Sequence, residues 1–158
     1  MSDLLKNLLP TAWLTSASRF ILEIDDVQIG TFTEVSGLNA EIAVEKIEEG
    51  GQNQFVHQMP GRVTWPNITL KRGVVDDDNL FEWFTKTSGD GLSEAGNKVS
   101  MHSGAVTLLS QSGDRLRSWK FDRAFPVKWT GPTFAVTSTE VPTEELEIAH
   151  HGFSSKRG

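Results

Sequence analysis

Between Arg115 and Trp129 the chain alternates apolar and polar residues over an unusually long stretch. Trp119, Phe121, Phe125, Val127 and Trp129 fall on one parity, and Ser118, Lys120, Asp122 and Lys128 on the other. Successive side chains of an extended strand point to opposite sides, so this period of two reads as a half-buried β-strand. Trp119, Phe121, Phe125 and Trp129 are then expected in the core. Residues 104–110 precede it across Ser112-Gly113-Asp114, a turn sequence, and the two segments read as an antiparallel pair.

The same period recurs elsewhere. From Arg19, the residues Phe20, Leu22 and Ile24 face one way and Arg19, Glu23 and Asp25 the other, with Ile21 an apolar exception. A turn at Asp25-Asp26 leads to a second short strand, Thr31 to Ser36. Residues 41–49 alternate to Val44 and then slip, so that Ile47 stands where Lys46 breaks the pattern; a bulge or strong twist does this. Gly50-Gly51 marks a bend, with Phe55 to Gln58 as the return arm of a hairpin. Asn67 to Arg72 forms another strand with Ile68 and Leu70 inward, and Glu144 to His150 a last one with Leu146 and Ile148 on one side.

Helical spacing is confined to two places. Asp77 or Asp78 caps a helix over about residues 77–86, with the acidic run at its positive end and Leu80, Phe81, Trp83 and Phe84 as its apolar face. Leu4, Leu5, Leu8 and Leu9 form a short amphipathic segment ended by Pro10, which lies on its own domain or reaches a neighbouring subunit. Ser88 to Ser100 reads as a flexible loop. The sum is a mainly β domain with one flanking helix: an extension or arm over 1–17, a domain over 18–153 and a solvated tail over 154–158.

Composition narrows the function classes. The 158 residues suit one domain with a real core. With no Cys there is no disulfide framework and no thiolate chemistry. A formal net charge of −6 argues against a general phosphate-binding role. The first residues lack the features of a secretory signal and no apolar run is long enough to span a bilayer, so the expected site of synthesis and assembly is the cytoplasm, without membrane insertion.

Chemical motifs are sparse. His150 and His151 are adjacent on a strand and point apart, and His57 and His102 lack a ligand partner at short spacing, so no metal site is expected. The run from Gly91 to Gly96 is one residue too long for a nucleophile elbow. Asp76-Asp77-Asp78 lacks the spacing of a calcium loop. Asn67-Ile68-Thr69 matches a glycosylation sequon but falls in a strand. No cofactor is expected, and no catalytic residue is assigned.

Several longer stretches together carry a resemblance. FILEIDDVQIGTFTEVSGL (20–38), EKIEEGGQNQFVHQMPGRVTWPNITLKRG (45–73), WKFDRAFPVKWTGP (119–132) and ELEIAHHGF (145–153) occur in the order seen in one family. The chain resembles the tail-tube proteins of contractile phages and phage-derived contractile injection systems. It departs from them at Trp65, where a tyrosine is common, at Pro142-Thr143 before the last strand, at His151 in place of an acidic residue, and in residues 1–12, which extend the usual amino terminus.

The resemblance implies a β-sandwich or partial-barrel subunit whose strands join across subunits into a ring-shaped β-barrel. Such rings are hexameric and stack into a tube. Its partners are further copies of itself, a sheath outside, baseplate or spike and terminator proteins at the ends, and cargo protein or DNA in the lumen. Alternatives are a tube-initiating or baseplate-adaptor copy and a secreted ring-forming effector carrier. Thr31, Thr33, Ser118, Lys120 and Asp122 are the expected lumen-facing residues. Gly50, Gly51, Asn53 and Phe55 form the tip of a hairpin expected to touch the adjacent ring. Pro60-Gly61 is expected to end the return arm by way of a left-handed turn, with Arg62 as an anchor and Trp65-Pro66 forcing an extended entry into the next strand.

Overall fold

The computed structural model describes residues 17–48, 50–51, 54–94, 96 and 98–158. The leucine-rich amino-terminal segment and Asn53 lie outside the described residues. The chain forms β1 (Ala17–Ile24), β2 (Val27–Phe32), β3 (Glu34–Ser36), β4 (Glu41–Ile47), β5 (His57–Thr64) and β6 (Ile68–Gly73). Helices α1 (Asn79–Thr87) and α2 (Gly89–Glu94) follow, then β7 (His102–Ser110), β8 (Arg115–Thr130), β9 (Thr143–Ala149) and β10 (Phe153–Arg157).

Strand β8 belongs to two neighbourhoods. Its first part pairs with β7 and with β10, and its second part, Phe125 to Thr130, pairs with β9, all antiparallel. The path across the main sheet runs β2-β1-β7-β8-β9-β6-β3. Its two ends are consecutive in the chain, separated only by Thr33, whose N–H donates to the Lys71 carbonyl at 3.0 Å. The sheet thus curls until its ends meet, and one copy closes most of a barrel by itself. Strands β4 and β5 stand apart as a separate two-stranded ribbon.

Inside the curl lie Leu22, Phe32, Ile68, Leu70, Leu80, Val106, Leu146 and Ile148, all essentially inaccessible, with Ile24, Trp83, Phe121 and Ala124 beside them. Each large side chain so enclosed stabilises the fold by about 1.5–3 kcal/mol. Phe20, Trp119, Trp129 and Phe153 pack half-buried against this cluster. Helix α1 contributes Leu80 and Trp83, three residues apart on one face.

Two expected core residues lie elsewhere. Phe84 is half-buried and outside the cluster, because only Leu80 and Trp83 of α1 turn fully inward. Phe125 is likewise half-buried, because the phase of β8 changes twice. Arg123 adopts φ 49°, and the register with β9 shifts between Pro126 and Lys128. Trp119 and Phe121 face inward before the first change, Ala124 and Pro126 after it, and Trp129 regains the inner face across from Leu146. Phe125 and Val127 are left out of phase.

Other boundaries also differ from expectation. Strand β2 starts at Val27, directly after the Asp25-Asp26 turn. Both aspartates hold left-handed φ values, 48° and 64°, as a tight two-residue hairpin turn requires. Ser88 to Ser100 contains α2 rather than only loop. The expected solvated tail is strand β10, which pairs with Arg117 to Phe121 of β8 where β9 has left that side of the strand free. At the start of α1, Asp78 occupies the cap position without a side-chain cap bond, and Asp77 instead accepts the Asn79 N–H at 3.3 Å.

A buried ionic knot ties these parts together. The Arg72 guanidinium donates to Glu144 at 2.5 Å and to Asp77 at 3.1 Å, and lies 5.6 Å above the Phe32 ring. Glu144 also accepts the Trp129 indole N–H at 3.2 Å. The knot therefore joins β6, β9, β8 and the approach to α1. Glu144→Ala is expected to cost about 3 kcal/mol, because it leaves the buried Arg72 cation with only the half-exposed Asp77 as carboxylate partner among the described residues. The check is the denaturant midpoint, which should fall at unchanged slope.

Candidate assembly surfaces

The β4–β5 ribbon carries the largest concentration of exposed apolar side chains. Ile42, Val44, Ile47, Phe55, Val56, Met59 and Val63 are all exposed, most of them about half. Register places Ile42 across from Val63 and Val44 across from Pro60, so these four form one apolar face near the ribbon's base. Nearer the tip, Phe55 meets the His57 ring edge-on at 5.0 Å. Gly51 takes φ 95°, a left-handed conformation that favours glycine, and among the described residues nothing stands within 4 Å of its missing Cβ or that of Gly50.

Pro60 and Gly61 do not end the return arm. Strand β5 runs through them to Thr64, and Gly61 is not left-handed. Between the pairs Ile42–Val63 and Val44–Pro60, two residues of β5, Gly61 and Arg62, stand opposite Ala43 alone. This is a bulge, one of the few places where proline fits in a strand. A Cβ on Gly61 would sit tightly against the Ala43 carbonyl at 3.1 Å and the Glu45 side chain at 3.2 Å, so a larger residue there must push its neighbours aside by a few tenths of an ångström.

Trp65 turns back across the end of the sheet. Its ring meets Phe153 edge-on at 5.1 Å and lies 6.2 Å from His150. His150 is buried: its Nε2–H donates to the Pro66 carbonyl at 2.9 Å, and its Nδ1 accepts the Gly152 N–H at 3.1 Å. Both ring nitrogens are thus committed to backbone, which fixes the tautomer and anchors Trp65-Pro66 to the β9–β10 junction. The sequence offered no signal for this role of His150.

The outer face of the sheet's first half is polar. Register aligns Thr31, Ile21, Thr107, Ser118 and Lys156 in one row, and Glu23, Ala105, Lys120 and Ser154 in the next. Thr31, Ser118 and Lys120 therefore share a face. Asp122 lies beyond them toward the strand's kink, while Thr33 sits at the closure and donates its hydroxyl to the Lys71 carbonyl. Arg115 reaches along the face to grip Glu23 with two bonds of 2.9 and 2.7 Å. The pair spans the row holding Ile21 and Thr107, which accounts for the burial of both on a polar face.

None of these groups forms a catalytic constellation. Among the described residues no group of three or more His, Asp or Glu side chains could hold a metal ion. His102 pairs with Asp25, a contact across the fold that short-range spacing did not reveal. Ser93 donates within α2 to the Gly89 carbonyl. Asn67 donates to Glu147 at 2.7 Å.

The curled sheet with an outlying ribbon has known counterparts. The family described as T4-like virus tail tube protein gp19 matches residues 16–154. The chain belongs to this tail tube protein family. No protein of curated function matches it in sequence. A chain in the cryo-EM structure of an extracellular contractile injection system, the PVC sheath-tube complex in its extended state, is similar at 27% identity and a TM-score of 0.73, over 89% of each chain. A chain in the anti-feeding prophage tube-terminating cap is similar at 29% identity and 0.72, again over 89% of each. Hcp1 from Flavobacterium johnsoniae shares the fold at 19% identity and 0.51, covering 89% of this chain and 97% of that one.

As a tail tube family member, the protein is a structural tube subunit. Among the described residues no helix is long and apolar enough to cross a membrane.

The polar face has one electrostatic feature open to direct measurement. Asp122 accepts the Ser103 hydroxyl at 2.7 Å and the Arg123 N–H at 3.0 Å, and these bonds hold its carboxyl below the usual 3.8. The stabilisation is present above that ordinary value and is lost as pH falls through the lowered one. Ser103→Ala should move the Asp122 titration up toward the ordinary value, read by carboxyl NMR. The ribbon gives a second expectation. In the isolated subunit, amides of β4 and β5 should exchange with deuterium far faster than those of β7 and β8, because few contacts hold the ribbon to the rest.

Proposed function

We propose that this tail tube protein forms hexameric rings that stack into the rigid inner tube of a contractile tail or injection system. The observation that carries the reading is the unsupported β4–β5 ribbon. A two-stranded ribbon is marginal in water on its own, and this one exposes Ile42, Val44 and Val63 beside Pro60. Contact with neighbouring copies covers that face, and its tip, with Gly50, Gly51 and Phe55, reaches the adjacent ring. Among the described residues strand β10 pairs on one side only, with β8, and its other margin is where a neighbour's sheet continues around the lumen. Thr31, Thr33, Ser118, Lys120 and Asp122 then wet the lumen wall.

In this role the tube is a passive conduit without catalysis of its own, assembled in the cytoplasm. A sheath surrounds it, baseplate or spike and terminator proteins bind its ends, and cargo protein or DNA occupies its lumen. The similarity to a chain in a tube-terminating cap favours one second reading, a copy that sits at the tube's end rather than along it. Negative-stain microscopy of the purified protein separates the two: long hollow tubes support the first, single rings that never elongate the second.

The ribbon's part is tested by Ile42→Ser, Val44→Ser and Val63→Ser combined. The lost apolar contact amounts to several kcal/mol at an interface, so sedimentable tube should fall by at least about tenfold. Circular dichroism should show the subunit fold intact. Normal tube yield from the triple variant would remove the ribbon from the assembly.

A further inference from the structure

The first half of the sheet is electrically polar along its strands. At one end, where β1 turns into β2, β7 begins and β8 kinks, stand Asp25, Asp26 and Asp122, with Arg123 as the adjacent cation. At the other end, where β1 begins, β7 turns into β8 and β10 finishes, stand Arg19, Arg117, Lys156 and Arg157, with Asp114 as the adjacent anion. Arg115, also at that end, is already neutralised by Glu23. The two ends are separated by about seven residues of β8, or about 23 Å at the usual rise of a strand.

Each end gathers like charges that the described residues relieve only in part, His102 pairing with Asp25 at the acidic end. Arg117 and Arg157 stand directly across from one another on β8 and β10. Such a pair is destabilising by itself. Among the described residues, Arg117 donates to the Ser155 hydroxyl at 2.8 Å and lies 5.9 Å from the Trp119 ring, both neutral partners. At the opposite end Asp25 and Asp26 are consecutive in a left-handed turn. There they open onto a cleft of about 860 Å³ lined also by Asp122, Trp65 and Phe153, by Lys120, and by the paired Glu23 and Arg115; carboxylates outnumber cations in it, so the lining is net acidic. That chemistry suits a guanidinium or ammonium group.

We infer that the basic end, through Arg117, Lys156 and Arg157, docks into the Asp25–Asp26–Asp122 end of a second copy, so that charge fixes the head-to-tail direction in which copies stack. The inference rests on the tube reading above and adds what sets its polarity. Opposed copies place basic end on basic end or acidic end on acidic end and are rejected. Exposed pairs contribute little affinity each, and their force lies in orientation and encounter rate.

The test is sedimentation of assembled protein at about 50 mM and about 500 mM NaCl, where screening shortens the reach of surface charge from about 14 Å to about 4 Å. For the wild type, the critical concentration for stacking should rise at least about fivefold with salt. Lys156→Glu with Arg157→Glu should raise it about tenfold at low salt and invert the salt response, because added salt then screens a repulsion. Asp25→Asn with Asp26→Asn, which keeps a residue tolerant of the left-handed turn, should act in the same direction from the other end. Circular dichroism establishes that each variant folds. Wild-type values in both variants, in a protein that does form tubes, overturn the inference while leaving the tube reading intact. A wild type that forms no stacked assembly at either salt removes that reading and the inference with it.

Discussion

Strand β8 has to satisfy two sets of partners at once, and the rest of the subunit follows from how it does so. Its sixteen residues cannot hold β7 and β10 at one end and β9 at the other without changing direction and phase. The left-handed Arg123 and the register shift beside Val127 supply both changes. Once β8 has turned, β9 and β6 are carried round to meet β3, and Thr33 becomes the place where the sheet's two ends touch. The Arg72–Glu144 knot then locks the returned strands, with Trp129 reaching it from β8 itself.

Much of this was legible because alternation survives wherever a strand keeps one face buried. Leu22, Ile68, Leu70, Leu146 and Ile148 sit where a period of two places them, and all are fully enclosed. The pattern misled where the backbone inserts a residue: Phe125 keeps its parity in the sequence and loses it in space. Pro60-Gly61 read as a stop because the pair is common in turns, whereas a bulge accepts the same residues inside a strand. Strand β10 was invisible for a different reason. Its polar, exposed residues carry no burial signal, and only the vacant side of β8 defines it.

The surfaces were harder to read than the core. Long-range pairs such as His102 with Asp25, or Arg115 with Glu23, join residues far apart in sequence, and no local spacing announces them. The placement of Thr31, Ser118 and Lys120 on one face needed the register of four strands. The ribbon was easier, since Gly50-Gly51 between two apolar runs marks a bend. Its exposure was not, because β4 reads like any half-buried strand and only the fold reveals that no second layer of the described residues covers it.

The bulge on β5 also bears on what happens before copies meet. A bare ribbon with β-branched residues on one face is an invitation to indiscriminate edge pairing, the first step of fibril growth. Pro60 withdraws a donor from that strand, and the extra residue at Gly61-Arg62 throws its ladder out of step. Both features work against a newly made chain's ribbon pairing edge to edge with that of a sibling.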